Sequence, residues 1–419
     1  MVTGTSYPLR SDPPMRRAVF SLLALTLVLR AQGAEAFHYI TPTLVQIPPV
    51  ATNPGTIEDA RWGGLRYVLF DSDADLAGTG STGRQVFLFD LQIRDVTGVL
   101  ALTQLTTGSD DKRRPHTGRR ATTVVYDSQP GGVGPRQIMV LDRHHQVHAL
   151  TAGGADSVNP NIDDNERTVV FESAADFFGT GTTGTQIYEI DLRRADLTCP
   201  FPCAQNGNTG LTMITNKSGN SRNASTTSHA KTIVFESDAD LLNVNENQSQ
   251  IYLYDGKSQQ LSLLSHGPGA SRNPSMTSNG GRILFESDAD PLGSGTGGTQ
   301  IFLHSRDAST LQQITSAANG ACTNPSVSSN GHAVAFVSAD DLLGMSKPGP
   351  QVYSYNLKKH YLIQVTNAQT NISNPAYASG VFTVFLSDGD LEGNGSPGTQ
   401  LYLVNLYALG TGTVQPPGP

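Results

Sequence analysis

The chain has 419 residues and a formal net charge of −8, with 15% charged side chains set against 43 glycines and 24 prolines. Few charges and many turn-formers argue against coiled coils, helical bundles and charged disordered tails, and the acidic balance argues against a nucleic-acid partner, which needs a basic face. A chain this long exceeds the size at which one hydrophobic core stops growing, so some internal division is expected.

At the N-terminus, Arg16 and Arg17 precede an apolar stretch from Ala18 to Leu29, and Ala34-Glu35-Ala36 follows. A basic region, a short apolar segment and an A-x-A site are the marks of a cleaved export signal. The apolar run falls short of the ~20 residues that a spanning helix needs. Residues 1–36 are therefore read as a signal peptide, with 1–14 a possible upstream extension. The mature protein is expected in the periplasm or outside the cell, with no membrane span after cleavage.

The remainder is one unit written seven times. Phe70-Asp-Ser-Asp-Ala-Asp75 returns at Phe171, Phe235, Phe285, Phe336 and Phe385, with Tyr126-Asp127-Ser128 a degenerate copy. A second anchor keeps the register: Gln85, Gln186, Gln250, Gln300, Gln351 and Gln400 each lie 15 residues after their aromatic, and Gln137 lies 11 after Tyr126. A third lies upstream, at Asn159, Asn223, Asn273 and Asn324, each 12 residues before the aromatic, with Asn374 at 11. Each unit reads as four short strands. In the fifth these are Pro274–Thr277, Arg282–Ser287, Gln300–His304 and Leu311–Thr315. The runs are short, β-branched or aromatic and almost continuously apolar, as suits strands covered on both faces. Asn279-Gly280 predicts a tight hairpin turn between the first two. A four-stranded unit recurring about every 50 residues predicts an all-β, seven-bladed β-propeller over residues 37–410, followed by a Gly/Pro-rich tail at 411–419. The last unit lacks a fourth strand. The segment His38–Ile47 is expected to supply it and close the ring; the alternative donor is Thr411–Gln415.

The unit, standing here as Asn273-Pro274-Ser275, Gly281, Ile283, Phe285, Ser287, Gln300-Ile301 and Ile314-Thr315, resembles the WD40-like propeller repeat of the TolB type, over roughly residues 38–410. The Ser-Asp-Ala-Asp-Leu stretch and the long Gly-rich loop resemble exported bacterial propellers. The resemblance implies a periplasmic propeller with a protein partner in the cell envelope.

Candidate site residues begin with the second acid of each loop: Asp75, Asp176, Asp240, Asp290, Asp341 and Asp390. Such carboxylates cap backbone N–H groups in tight turns. A calcium site and direct ligand contact are the other readings, although a calcium ion wants six to eight oxygens and the loops continue without further acids. No other cofactor is expected. Arg222 and Arg272 flank the same loop face. Cys199 and Cys203 sit in the longest interval and are expected to form a local disulfide in an oxidising compartment, leaving Cys322 free. His144, His145 and His148 lie at a turn and are read as solvated.

Two functions remain open. One is a non-catalytic scaffold, a monomer, binding an envelope or extracellular protein, a peptide or a glycan through its loop face. The other is an exported propeller enzyme acting on polysaccharide, a lyase or glycosidase, which should break the repeat at channel positions. Blade two, with Arg113, Arg114, His116, Arg119 and Arg120, is the strongest such break.

Overall fold

The computed structural model describes residues 43–47, 60–63, 67–94, 100–201, 210–227, 232–244, 247–318, 321–344, 349–378, 382–393 and 398–406. Residues 1–36, read above as an export signal, and the tail at 411–419 lie outside them. Among the described residues, no helix is long and apolar enough to cross a membrane.

The described residues form seven four-stranded antiparallel sheets. In blade five the strands are Ser271–Met276, Arg282–Ser287, Gln300–Ser305 and Thr310–Gln313, in that order from the axis outward. Blade seven takes Ile372–Ala378, Phe382–Ser387 and Gln400–Asn405 from one end of the chain and Thr43–Ile47 from the other. Thr43 pairs with Asn405 and Ile47 with Leu401, so the N-terminal strand closes the ring as expected. Closure matters because an unpaired strand edge leaves a row of backbone donors and acceptors unsatisfied.

In six of the seven blades the recurrent aromatic of the second strand stacks on a ring of the third strand within its own blade, and in blade two Tyr126 faces Met139 instead. Phe285 lies 5.8 Å from Phe302, Phe235 lies 5.9 Å from Tyr252 and Phe385 lies 5.7 Å from Tyr402. Neighbouring blades then bury their aliphatic faces against each other, as where Val170 and Ile187 of blade three meet Ile233, Phe235 and Tyr252 of blade four. The near-continuous apolar runs follow from this two-sided burial.

The recurrent glutamine ties each blade to its loops. Gln300 donates to the carbonyls of Gly297 (2.8 Å) and Ala317 (3.1 Å) and accepts from the Thr315 hydroxyl (2.8 Å), which itself accepts Ile301 N–H (2.9 Å). Gln85, Gln186, Gln250 and Gln351 accept in the same way from Thr106, Thr215, Ser265 and Thr366.

Two local expectations are corrected. The inner strand of blade five begins at Ser271 rather than Pro274, because a β-bulge between Arg272 and Ser275 lets it continue past Asn273. At the Asn279-Gly280 turn only the glycine takes positive φ, at 70°. Asn279 instead uses its Oδ1 to accept Gly281 N–H (2.9 Å), so it acts as an Asx turn within a longer connection.

Candidate functional site

The loops between second and third strands project from one face of the ring. In every blade but the second, each starts with a serine whose hydroxyl accepts the N–H two residues on, as Ser287 does from Ala289 (3.1 Å). The recurrent aspartate follows. Asp290 accepts Ser294 N–H and Gly295 N–H, both at 2.8 Å, and the Ser294 hydroxyl at 3.0 Å. Asp75 binds Thr79 and Gly80 in the same way, Asp176 binds Thr180 and Gly181, and Asp240 accepts from Val244. These N–H groups, Gly295 foremost for Asp290 and Gly80 foremost for Asp75, hold the carboxyls below the usual carboxylate range. The loops of Asp341 and Asp390 run into residues 345–348 and 394–397, outside the described residues. Among the described residues, no cluster of three or more His, Cys, Asp or Glu side chains is placed to hold a metal ion.

Arg222 is exposed on this face, and Arg272 forms an ion pair with Asp288 at 3.0 Å. Six large hydrophobic side chains are exposed among the described residues, and five of them stand on these loops. They are Val133, Phe178, Leu242, Val244 and Leu292, on blades two to five, with exposures from 37% to 75%. Sequence reasoning passed over them because apolar residues inside glycine-rich loops look like ordinary loop filler.

Cys199 is disulfide-bonded, Cys203 lies outside the described residues, and Cys322 is free and fully buried. The insertion that carries Cys199 reaches back to blade two. Phe201 N–H bonds Leu150 carbonyl (2.9 Å), and the Phe201 ring joins the core cluster of Leu150 and Val140. His148 pairs with Asp142 at 3.3 Å at the edge of blade two.

Around the axis runs a collar that the sequence displayed without explaining. Asn159, Asn223, Asn273, Asn324 and Asn374 all take positive φ, between 48° and 53°, at the inner-strand bulge. Asparagine tolerates that conformation better than most residues. The Asn159 amide donates to Asn223 Oδ1 (3.3 Å), Asn223 to Asn273 (3.0 Å) and Asn273 to Asn324 (3.5 Å). Behind the collar, the acid that follows the recurrent aromatic accepts the bulge N–H of the next blade. Glu172 takes Asn223 N–H (2.7 Å), Glu236 takes Asn273 (2.6 Å) and Glu286 takes Asn324 (2.7 Å). Asp71 and Asp127 do the same for Arg114 and Asn159, both at 3.2 Å. Burial pushes the Asp127, Glu172 and Glu286 carboxyls up, against the pull of these hydrogen bonds. Blades six and seven carry Val337 and Leu386 at this position.

The blade-two residues are absorbed into the same scheme. Arg113 pairs with Asp111 (2.8 Å), and Arg114 occupies the collar position with its guanidinium 3.6 Å from Asp127. His116 Nδ1 accepts Ile162 N–H (3.1 Å), as Ser275 Oγ accepts Val327 N–H (3.2 Å) and Ser326 Oγ accepts Tyr377 N–H (3.0 Å). Arg119 and Arg120 are exposed at the hairpin turn.

Fold and site together define a seven-bladed β-propeller protein. No protein-family model matches the chain, and no curated protein is similar to it in sequence. Among solved structures, an oligogalacturonate lyase from Vibrio parahaemolyticus is similar with a TM-score of 0.60 and 12% identity, over 88% of this chain and 97% of that one. The β-propeller domain of the Trilobed protease from Pyrococcus furiosus gives 0.52 and 10%, over 81% and 91%. TolB from Acinetobacter baumannii gives 0.46 and 17%, over 76% and 67%. A lyase and a protease domain on one architecture share the fold alone, so function has to be argued from the site.

Proposed function

We propose that the protein is an exported, non-catalytic propeller scaffold whose loop face docks a protein or peptide partner in the cell envelope or outside the cell. The carrying observation is the arc of Val133, Phe178, Leu242, Val244 and Leu292, which puts most of the exposed large apolar side chains on one face. Exposed large apolar side chains gathered on one face mark a candidate interaction site, and loops held by a rigid scaffold are where recognition resides. The aspartates cap these loops and so hold the apolar side chains in place, a structural task that needs no calcium. The blade-two break supports the scaffold over the enzyme, because Arg113, Arg114 and His116 are engaged in ion pairs and blade-to-blade bonds. Export is supported by the N-terminal signal pattern and by a disulfide at Cys199.

The test is site-specific photocrosslinking in the host. A photoreactive residue at Leu242 or Phe178 should yield a discrete adduct that one at Ser278, on the opposite face, does not. Phe178→Asp combined with Leu292→Asp should abolish the adduct from position 242. Equal crosslinking from both faces, or an adduct indifferent to the double variant, would refute the docking face.

A further inference from the structure

The end of the central channel opposite the loop face holds a cup of about 610 Å³, within the range of small-molecule sites. The asparagine collar is its floor, and the hairpins that carry Arg119, Ser278 and Asn330 bound its mouth. We propose that this cup is a second binding site, taking a short neutral oligosaccharide. It does not depend on the docking reading of the loop face.

The chemistry of the wall selects that class. Ser225, Ser275 and Ser326 occupy equivalent positions on three consecutive blades, each two residues after its collar asparagine, and all three line the cup. Ser275 and Ser326 each accept one backbone N–H, which leaves their hydroxyl hydrogens to donate. The Ser225 hydroxyl has no partner among the described residues. Below them, the collar oxygens of Asn223 and Asn273 accept one amide hydrogen each and keep a second lone pair. Donors thus stand above acceptors around the wall. Part-exposed Met276 and Ala376 add apolar surface to the same wall. A sugar offers the complement: hydroxyls that both donate and accept, on a ring whose C–H faces are apolar.

Charge excludes the alternatives. An anionic ligand would approach the carboxylates behind the collar, Glu172, Glu236 and Glu286 among them. A cationic one gains little, because these carboxylates already accept backbone N–H bonds and Arg114 occupies the collar on the blade-two side. The charged side chains of the lining, Arg119 and Asp164, are confined to the stretch of wall formed by blades two and three. A neutral polyol meets neither penalty.

Calorimetric titration of the purified chain with maltotriose, cellotriose, triacetylchitotriose, trigalacturonate and an uncharged hexapeptide tests this. At least one neutral trisaccharide should bind, at least ten-fold more tightly than trigalacturonate or the peptide. Ser225→Tyr, which fills the cup without removing a hydrogen bond, should weaken that binding at least ten-fold at an unchanged urea midpoint. Ser278→Trp at the mouth provides a second block should Ser225→Tyr fail to fold. Phe178→Asp on the loop face should leave sugar binding untouched, which separates this site from the docking face. No binding of any neutral sugar at millimolar concentration, tighter binding of trigalacturonate or the peptide, or binding that survives the cup-blocking variants would overturn the assignment.

Discussion

Glu189 is the residue at which the repeat is most plainly violated. It lies 18 residues after Phe171, where the next two blades carry Leu253 and Leu303, which are 6% and 4% exposed. It pairs with Val170 of the adjacent strand, whose side chain belongs to the apolar seam between blades three and four. Burial, reinforced by Asp191 and Asp163, pushes its carboxyl from the ordinary 4.5 up to about 7. The folded state therefore disfavours the charged form. Full stability holds below the unfolded value, is lost as pH rises from 4.5 towards 7, and stays lost above it. At about 1.36 kcal/mol per tenfold change in proton affinity, ionisation above pH 7 costs the fold about 3 kcal/mol. Glu189→Leu removes the charge and restores the side chain of its neighbours. Its advantage over wild type, read from urea midpoints, should grow by about 2.5 kcal/mol between pH 5 and pH 8. Glu189→Gln should show the same pH dependence with a smaller gain from packing. An advantage that is equal at the two pH values would refute the reasoning, because it would mean that the carboxylate titrates normally in the seam.

Three further outcomes are expected. Asp290→Ala should speed proteolysis of its own loop equally with millimolar calcium and with chelator, since the lost groups are the N–H bonds of Ser294 and Gly295. A chelator-induced fall in the wild-type melting midpoint that the variant lacks would instead make these loops metal sites. Intact-mass mapping after alkylation should find one Cys199–Cys203 bridge and a Cys322 that reacts only in denaturant; three native thiols open to alkylation would contradict it. Glu286→Ala leaves Asn324 N–H without its buried acceptor and should cost about 1–3 kcal/mol in urea unfolding, and a change within about 0.5 kcal/mol would remove the carboxylate tier from the account of ring closure.

The blade count and register were legible in the chain because each repeat must present the same groups at the same height on the ring. The Phe-to-Gln spacing of 15 residues runs from the second strand through the loop to the start of the third, and only a near-constant loop keeps Gln300 opposite Ser287 and Phe302 opposite Phe285. Ring closure was legible too: a seventh unit short of one strand, with an unattached strand upstream, leaves few ways to satisfy the last edge. The aspartates could be read as caps because each acts within its own loop, four or five residues away.

What only tertiary structure decided lies between blades. Asn223 was visible as a register mark, yet its amide bonds Asn273 and its N–H bonds Glu172, residues 50 and 51 positions away. The asparagine marks its own strand through the bulge it occupies, but nothing near it in sequence names the partner in the next blade. The same holds for Ser225, Ser275 and Ser326, whose common wall exists only once seven inner strands face one axis. It holds also for Glu189, whose shifted carboxyl depends on burial at the seam with the next blade as well as on Asp191 and Asp163 of its own. Local spacing encodes the interactions that each blade makes with itself. The cup, the collar and the perturbed carboxyl arise from bringing distant residues together in low-dielectric surroundings, where a hydrogen bond or a charge carries far more free energy than it does along an exposed strand.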